Sequence, residues 1–173
     1  MLYSMRLKPT NAITRRDDQM MKVSQKSSWN EAEIADYLRE TVIPMRIAIT
    51  DGDFPTICSL WFDYDPTQGV LICATHERSQ IARLIAKNPR CAFEIASNTP
   101  PYCGVRGKAV IEVDAAAAAE SLPKLINRYM GNSNAGLGKW LMSRVDEELE
   151  LRLKPVWISA WDYGQRMEPV KPA

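Results

Sequence analysis

The chain is poor in the residues from which most catalytic and metal centres are built. One of its 173 residues is histidine, His76, so a His-based metal site or a Ser-His triad would rest on a single side chain. There are four cysteines, Cys58, Cys73, Cys91 and Cys103, and no C-x-x-C pair among them. The first three lie in apolar, strand-like runs, the pattern of buried thiols in a reducing compartment and not of zinc ligands or disulfides. No apolar run reaches the ~18 residues of a membrane-spanning helix. Asp17-Asp18 follows Arg15-Arg16 where a twin-arginine signal would turn hydrophobic. No secretory leader is therefore predicted, and the expected compartment is the cytoplasm. A net charge of +1 argues against a dedicated nucleic-acid binder.

What is present is the composition of an ordinary soluble globule, 46% hydrophobic and 25% charged, of a size for one domain. Residues 1–27 lack periodicity and are basic, six cations against two carboxylates, which predicts a flexible arm. The domain proper is expected over 28–167, with a short tail over 168–173. Ser28 and Glu31 have capping-box spacing ahead of a helix whose inner face carries Ile34, Tyr37 and Leu38. Val42 to Thr50 alternates as a strand, Asp51-Gly52-Asp53 reads as a hairpin turn, and Phe54 to Tyr64 reads as a second strand. Asp65 to Gly69 turns the chain into a third strand from Val70.

The stretch from Val70 to Ala96 organises the rest. Val70 to Thr75 is a strand, His76-Glu77-Arg78 a polar turn, and Ser79 a helix cap. Ile81, Leu84 and Ile85 form one apolar helix face, which Asn88-Pro89 ends. Arg90 to Ala96 is extended again. A helix start beside Thr75, Ser79, Gln80 and the cation Arg78 suits a phosphate. It also suits a plain capped surface helix.

Gly104 to Val113 alternates as a fifth strand, and Asp114 heads a helix to Met130 in which Pro123 predicts a kink or break. Gly131 to Gly138 ends in Gly-Lys but fails the phosphate-loop pattern: Ser133 stands where the first glycine belongs and Trp140 replaces Ser/Thr. A short helix from Trp140 to Glu148 and a last strand to Tyr163 follow. In that strand Pro155 shifts the alternation, which predicts a bulge. The expected fold is mainly β: a six-stranded antiparallel barrel with flanking helices.

Several strings together carry a resemblance: Arg46-Ile-Ala-Ile-Thr-Asp-Gly; Ser59-Leu60-Trp61-Phe62; Thr75 with Ser79 and Asn88-Pro89-Arg90; Tyr102 with Val105-Arg106-Gly107-Lys108-Ala109; and Pro155 to Trp161-Asp162-Tyr163. In this order and spacing the chain resembles the pyridoxamine 5′-phosphate oxidase-like, FMN-binding split-barrel superfamily from Glu31 to Met167. The resemblance implies a homodimer with FMN in clefts at the interface and a small-molecule substrate. It implies that the flavin phosphate sits by Thr75, Arg78, Ser79, Gln80 and Arg83. The strand Ser59, Leu60, Trp61, Phe62 would run beside the ring, with Tyr102, Arg106 or Trp161 approaching from either chain.

Two departures stand out. Ile81 occupies the position where such proteins commonly carry a phosphate lysine. The basic strand and the C-terminal Arg-His pair of the true oxidase are missing, so pyridoxamine phosphate is not the expected substrate. Reduced FMN carries negative charge near its N1–O2 edge, for which Arg46 and Arg106 are the candidate partners. No catalytic residue is assigned, because hydride transfer from a flavin depends on positioning more than on an acid or base. The expected function is a flavin-dependent oxidoreductase. The alternatives are the same fold binding deazaflavin or haem, or a non-enzymatic barrel that has lost its cofactor.

Overall fold

The computed structural model describes residues 22–131 and 136–167. Its strands are β1 (Lys22–Val23), β2 (Met45–Asp51), β3 (Phe54–Leu60), β4 (Phe62–Asp65), β5 (Val70–His76), β6 (Arg90–Ala96), β7 (Cys103–Asp114) and β8 (Glu148–Asp162). Its helices are α1 (Glu31–Glu40), α2 (Gln80–Lys87), α3 (Ala118–Met130) and α4 (Leu137–Met142). No helix among the described residues is long and apolar enough to cross a membrane.

Seven strands form one antiparallel sheet in the order β3-β2-β6-β7-β8-β5-β4. The sheet is not closed by hydrogen bonds between its margins. Those margins, β3 and β4, are neighbours in sequence with only Trp61 between them, so the sheet has to curl until its edges meet at that residue. The single strand expected over Phe54 to Tyr64 is thus two. The cause is a clamp from α3. Trp61 stacks on Tyr129 with ring centroids 5.2 Å apart, and the Tyr129 hydroxyl accepts from the Phe62 amide at 3.2 Å. The same hydroxyl donates to the Ile43 carbonyl at 3.2 Å.

Alternation decides what fills the curl. Met45, Ile47 and Ile49 of β2, Phe93 and Ile95 of β6, Leu151 and Leu153 of β8 all point inward and are buried. Ile34 and Leu38 of α1 and Ile81, Leu84 and Ile85 of α2 join the same cluster. At Gly107 an added Cβ would lie 2.4 Å from the Phe93 ring, so the absence of a side chain there is what lets Phe93 cross β7. The bulge expected near Pro155 is present: Lys108 pairs with Trp157 but Ala109 pairs with Pro155, leaving Val156 as the extra residue. It shifts the inward set from Leu151 and Leu153 to Ile158 and Ala160.

Other expectations need revision. The capping box is made by Asn30 and Glu33, with bonds of 3.0 and 2.8 Å, because Ser28 is occupied elsewhere: its amide donates to the Ala160 carbonyl at 3.0 Å. Lys22 and Val23, within the stretch read as an arm, pair in parallel with Trp157 and Ile158. Residues 1–21 of that stretch, and the tail, lie outside the described residues. Pro123 does not break α3. It sits on the exposed side while Ser121, Leu122, Leu125 and Ile126 are buried on the other. The last helix ends at Met142, and a 3₁₀ turn, Val145–Glu147, leads directly into β8.

Candidate functional site: the β5–α2 corner and the outer sheet face

The turn after β5 is closely braced. Ser79 caps α2, its hydroxyl accepting from the Ala82 amide at 3.1 Å and lying 3.0 Å from the hydroxyl of buried Thr75. His76 accepts the Arg78 amide on Nδ1 at 3.0 Å, its carbonyl takes the Ser79 amide at 2.9 Å, and its Nε2 lies 2.8 Å from a Glu147 carboxylate oxygen. The next two amides, of Gln80 and Ile81, are claimed by no hydrogen bond among the described residues; a helix start leaves such donors over. Two guanidiniums stand near. Arg83 has no acidic partner among the described residues, and Arg78, 78% exposed, is held only loosely by Glu77 at 3.5 Å. The Gln80 side chain donates to Asp51 at 3.2 Å, which ties the corner to the far end of β2.

The outward residues of five strands line up in rows. Ser59, Arg46, Glu94, Arg106 and Ser159 are successive cross-strand partners from β3 to β8. The next row is Ile57, Ala48, Ala92, Lys108 and Trp157. The small side chains Ala48 and Ala92 make this a flat floor beside Ile57, which is 67% exposed. Arg46 is paired with Glu94 at 3.4 Å and donates to the Asn98 side-chain oxygen at 2.6 Å. Arg106 has no acidic partner among the described residues; it lies 5.6 Å over the Trp161 ring. From Arg46 to Asp51 is five residues of strand, ~17 Å. The anion-suited corner, tied to Asp51, therefore stands at the far end of β2 from the Arg46–Arg106 row.

No known family profile matches the sequence, and no curated protein does. Solved structures match it in shape. A conserved hypothetical protein of Mycobacterium tuberculosis superimposes with a TM-score of 0.69 at 20% identity, over 88% of this chain and 97% of its own. An F420 reductase gives 0.59 at 20% identity, over 72% of this chain and 94% of its own. A FAD binding protein of Mycobacterium smegmatis gives 0.52 at 14% identity, over 78% and 97%. The chain has the split-barrel fold.

In this split barrel the residues singled out from the sequence fall into two groups and a remainder. Thr75, Arg78, Ser79, Gln80 and Arg83 gather at the corner. Ser59, Arg106 and Trp161 share the outer face, with Tyr102 42% exposed at its end, past the Pro100-Pro101 loop. The remainder is Leu60, Trp61 and Phe62. Phe62 is 0% exposed with the Arg128 guanidinium 5.6 Å over its ring, so its side chain belongs to the core and offers a cofactor no surface. Leu60 faces inward beside Met45. Trp61 has one face already covered by Tyr129. Ile81, 5% exposed, is core and does not face the turn.

Sequence reasoning missed Asp51, Tyr129 and Glu147. Asp51 looked like hairpin chemistry, and Tyr129 is in phase with an ordinary helix. Glu147 is 71 positions from His76, and nothing local links them. Among the described residues no group of three or more His, Cys, Asp or Glu is placed to hold a metal.

Proposed function

We propose that this protein binds FMN and uses it for redox chemistry on a small planar substrate or in exchange with a nicotinamide. The observation that carries this reading is the donor set at the start of α2. Two unclaimed amides, the hydroxyls of Thr75 and Ser79 and the nearby cations Arg78 and Arg83 match the needs of a phosphate dianion. They stand at the far end of β2 from the Arg46–Arg106 row, a span of ~17 Å that suits a ribityl chain and a tricyclic ring.

Bound flavin supplies hydride or single-electron transfer. The chain's own contribution is placement. The corner holds the phosphate, and Ala48 and Ala92 leave room for a ring to approach the backbone. Arg106, lacking an acid partner among the described residues, supplies positive charge at the Arg46–Arg106 row. The strand Phe54–Leu60 carries no cation, which disfavours a phosphorylated substrate lying along it. The exposed Ile57 and Phe54, the latter 79% accessible on a margin strand, support a homodimer that covers them, with each cleft completed by the second copy.

The absorption spectrum of the purified protein, followed by an FMN titration, tests the reading. A flavin band, or uptake at micromolar concentration, is expected. Colourless protein that takes up no FMN refutes it. A deazaflavin is the second reading, favoured by the shape match to the F420 reductase, and it would use the same phosphate seat. Its different absorption maximum separates the two in one spectrum. Haem is less well served, because both nitrogens of the only histidine are already engaged.

A further inference from the structure

The geometry points to His76 as a positioning residue that holds the phosphate turn shut while its imidazole is neutral and releases it on protonation; this rests on the flavin reading above. Nδ1 can accept the Arg78 amide, 3.0 Å away, only if it carries no proton, so the ring is the Nε2–H tautomer. That Nε2–H then donates to Glu147 at 2.8 Å. The Glu77 amide donates to the Glu147 carbonyl at 2.8 Å, a second tie between the turn and the 3₁₀ turn Val145–Glu147. One imidazole thus links the backbone of the candidate anion seat to the start of β8.

Protonation places an N–H against the Arg78 N–H. Glu147 still holds the opposite nitrogen, so the ring stays in place and the Arg78 amide loses its acceptor. The charges around the ring come from three elements. Glu147 belongs to the 3₁₀ turn. Glu148, the β8 register partner of His76, is buried and paired with Arg144 at 2.9 Å. Glu77 and Arg78 lie in the turn itself. The carboxylates of Glu147, Glu148 and Glu77 attract the imidazolium charge, and Arg78 and Arg144 oppose it. Phosphate affinity should therefore fall as the ring takes up a proton.

The test compares the full-length protein with His76→Asn. An asparagine oxygen accepts the amide two residues on, as in an Asx turn, and does not titrate. FMN dissociation constants are measured from pH 8 to 5.5, and the Arg78 amide is followed by NMR without FMN. Wild type should lose about fivefold more affinity than His76→Asn over this range, the equivalent of one hydrogen bond, while the two agree at pH 8. The Arg78 amide should shift with pH in the wild type alone. If both proteins weaken in parallel, the effect belongs to the flavin phosphate and the inference is overturned. If neither binds FMN, the flavin reading fails, and the Arg78 amide still decides the latch: a pH-dependent shift confined to wild type supports it, and no difference refutes it.

Discussion

Replacing Ile81 with lysine sets the resemblance and the packing against each other. By resemblance, a lysine here would reach the flavin phosphate and tighten binding. By the structure, position 81 is 5% exposed and packs with Leu84 and Ile85 into the core. Losing the isoleucine's burial costs about 1.5–3 kcal/mol, partly recovered by the lysine stem. The ammonium must also be buried or lose its proton. At pH 7 each unit by which its pKa falls below about 7 adds nothing further, but neutralising it from about 10.4 costs up to about 4.6 kcal/mol. Allowing for partial escape to the surface, the net loss should be about 3–5 kcal/mol, a large share of a typical domain's stability.

The pH dependence has a definite sign. A lysine with a depressed folded-state pKa binds fewer protons folded than unfolded, so the variant should regain stability as the pH rises from 7 toward 10. Urea unfolding at pH 7 and pH 9.5, with Ile81→Met as the volume-conserving control, measures both effects. FMN titration of the folded fraction completes the assay. A lysine variant with wild-type urea midpoint and tenfold tighter FMN binding would refute the placement of residue 81 in the core.

Three more outcomes follow from the packing. The Arg128 Nη2 group donates to the carbonyls of Leu38, Arg39 and Thr41 at 2.7–3.1 Å, closing the C-terminal end of α1. Arg128→Ala should cost about 3 kcal/mol in urea unfolding, and a loss under 0.5 kcal/mol would show the clamp to be idle. Gly107→Ala drives a methyl into Phe93 and should cost about 2–3 kcal/mol, with partial rescue by Phe93→Leu; a neutral Gly107→Ala contradicts the close approach. Burial pushes the Cys91 thiol up to about 12 and raises the fully buried Cys73 well above its ordinary value. The stability this contributes is present below pH 9 and lost as the pH climbs toward 12. Chemical denaturation from pH 8 to 11 should show that decline, and Cys91→Ala should flatten it. At pH 8 a thiol reagent should reach Cys58 and Cys103 and spare Cys73 and Cys91 until the protein unfolds.

Much of the fold was legible because one-sided burial writes itself into alternation. Met45, Ile47 and Ile49, and Leu151 and Leu153, announce their strands. Pro155 announces the bulge, since a residue without an amide cannot sit in an unbroken ladder. What the pattern concealed depended on distant partners. Nothing near Trp61 marks a strand break, because the break is imposed by Tyr129, 68 positions later. Ser28 has good capping chemistry, but β8 takes its amide and the cap passes to Asn30. The corner residues came out together because they are local in sequence. The outer-face rows did not, because they depend on register across five strands. Leu60 and Phe62 keep one parity across the Trp61 break and both turn inward, where plain alternation puts them.

The short segment from Lys22 to Ser28 works as a hem. Beyond Leu153, β8 has no β5 alongside it. There the Ile158 carbonyl is taken by the Ser24 amide at 2.8 Å, and Ala160 is satisfied on both sides by Ser27 and Ser28. A chain trimmed to begin at residue 29 would leave that border raw, with unpaired carbonyls and amides ready to stitch onto any passing strand. Such a trimmed protein should express but cling to itself, and lengthening it by seven residues should restore a clean monodisperse peak on gel filtration.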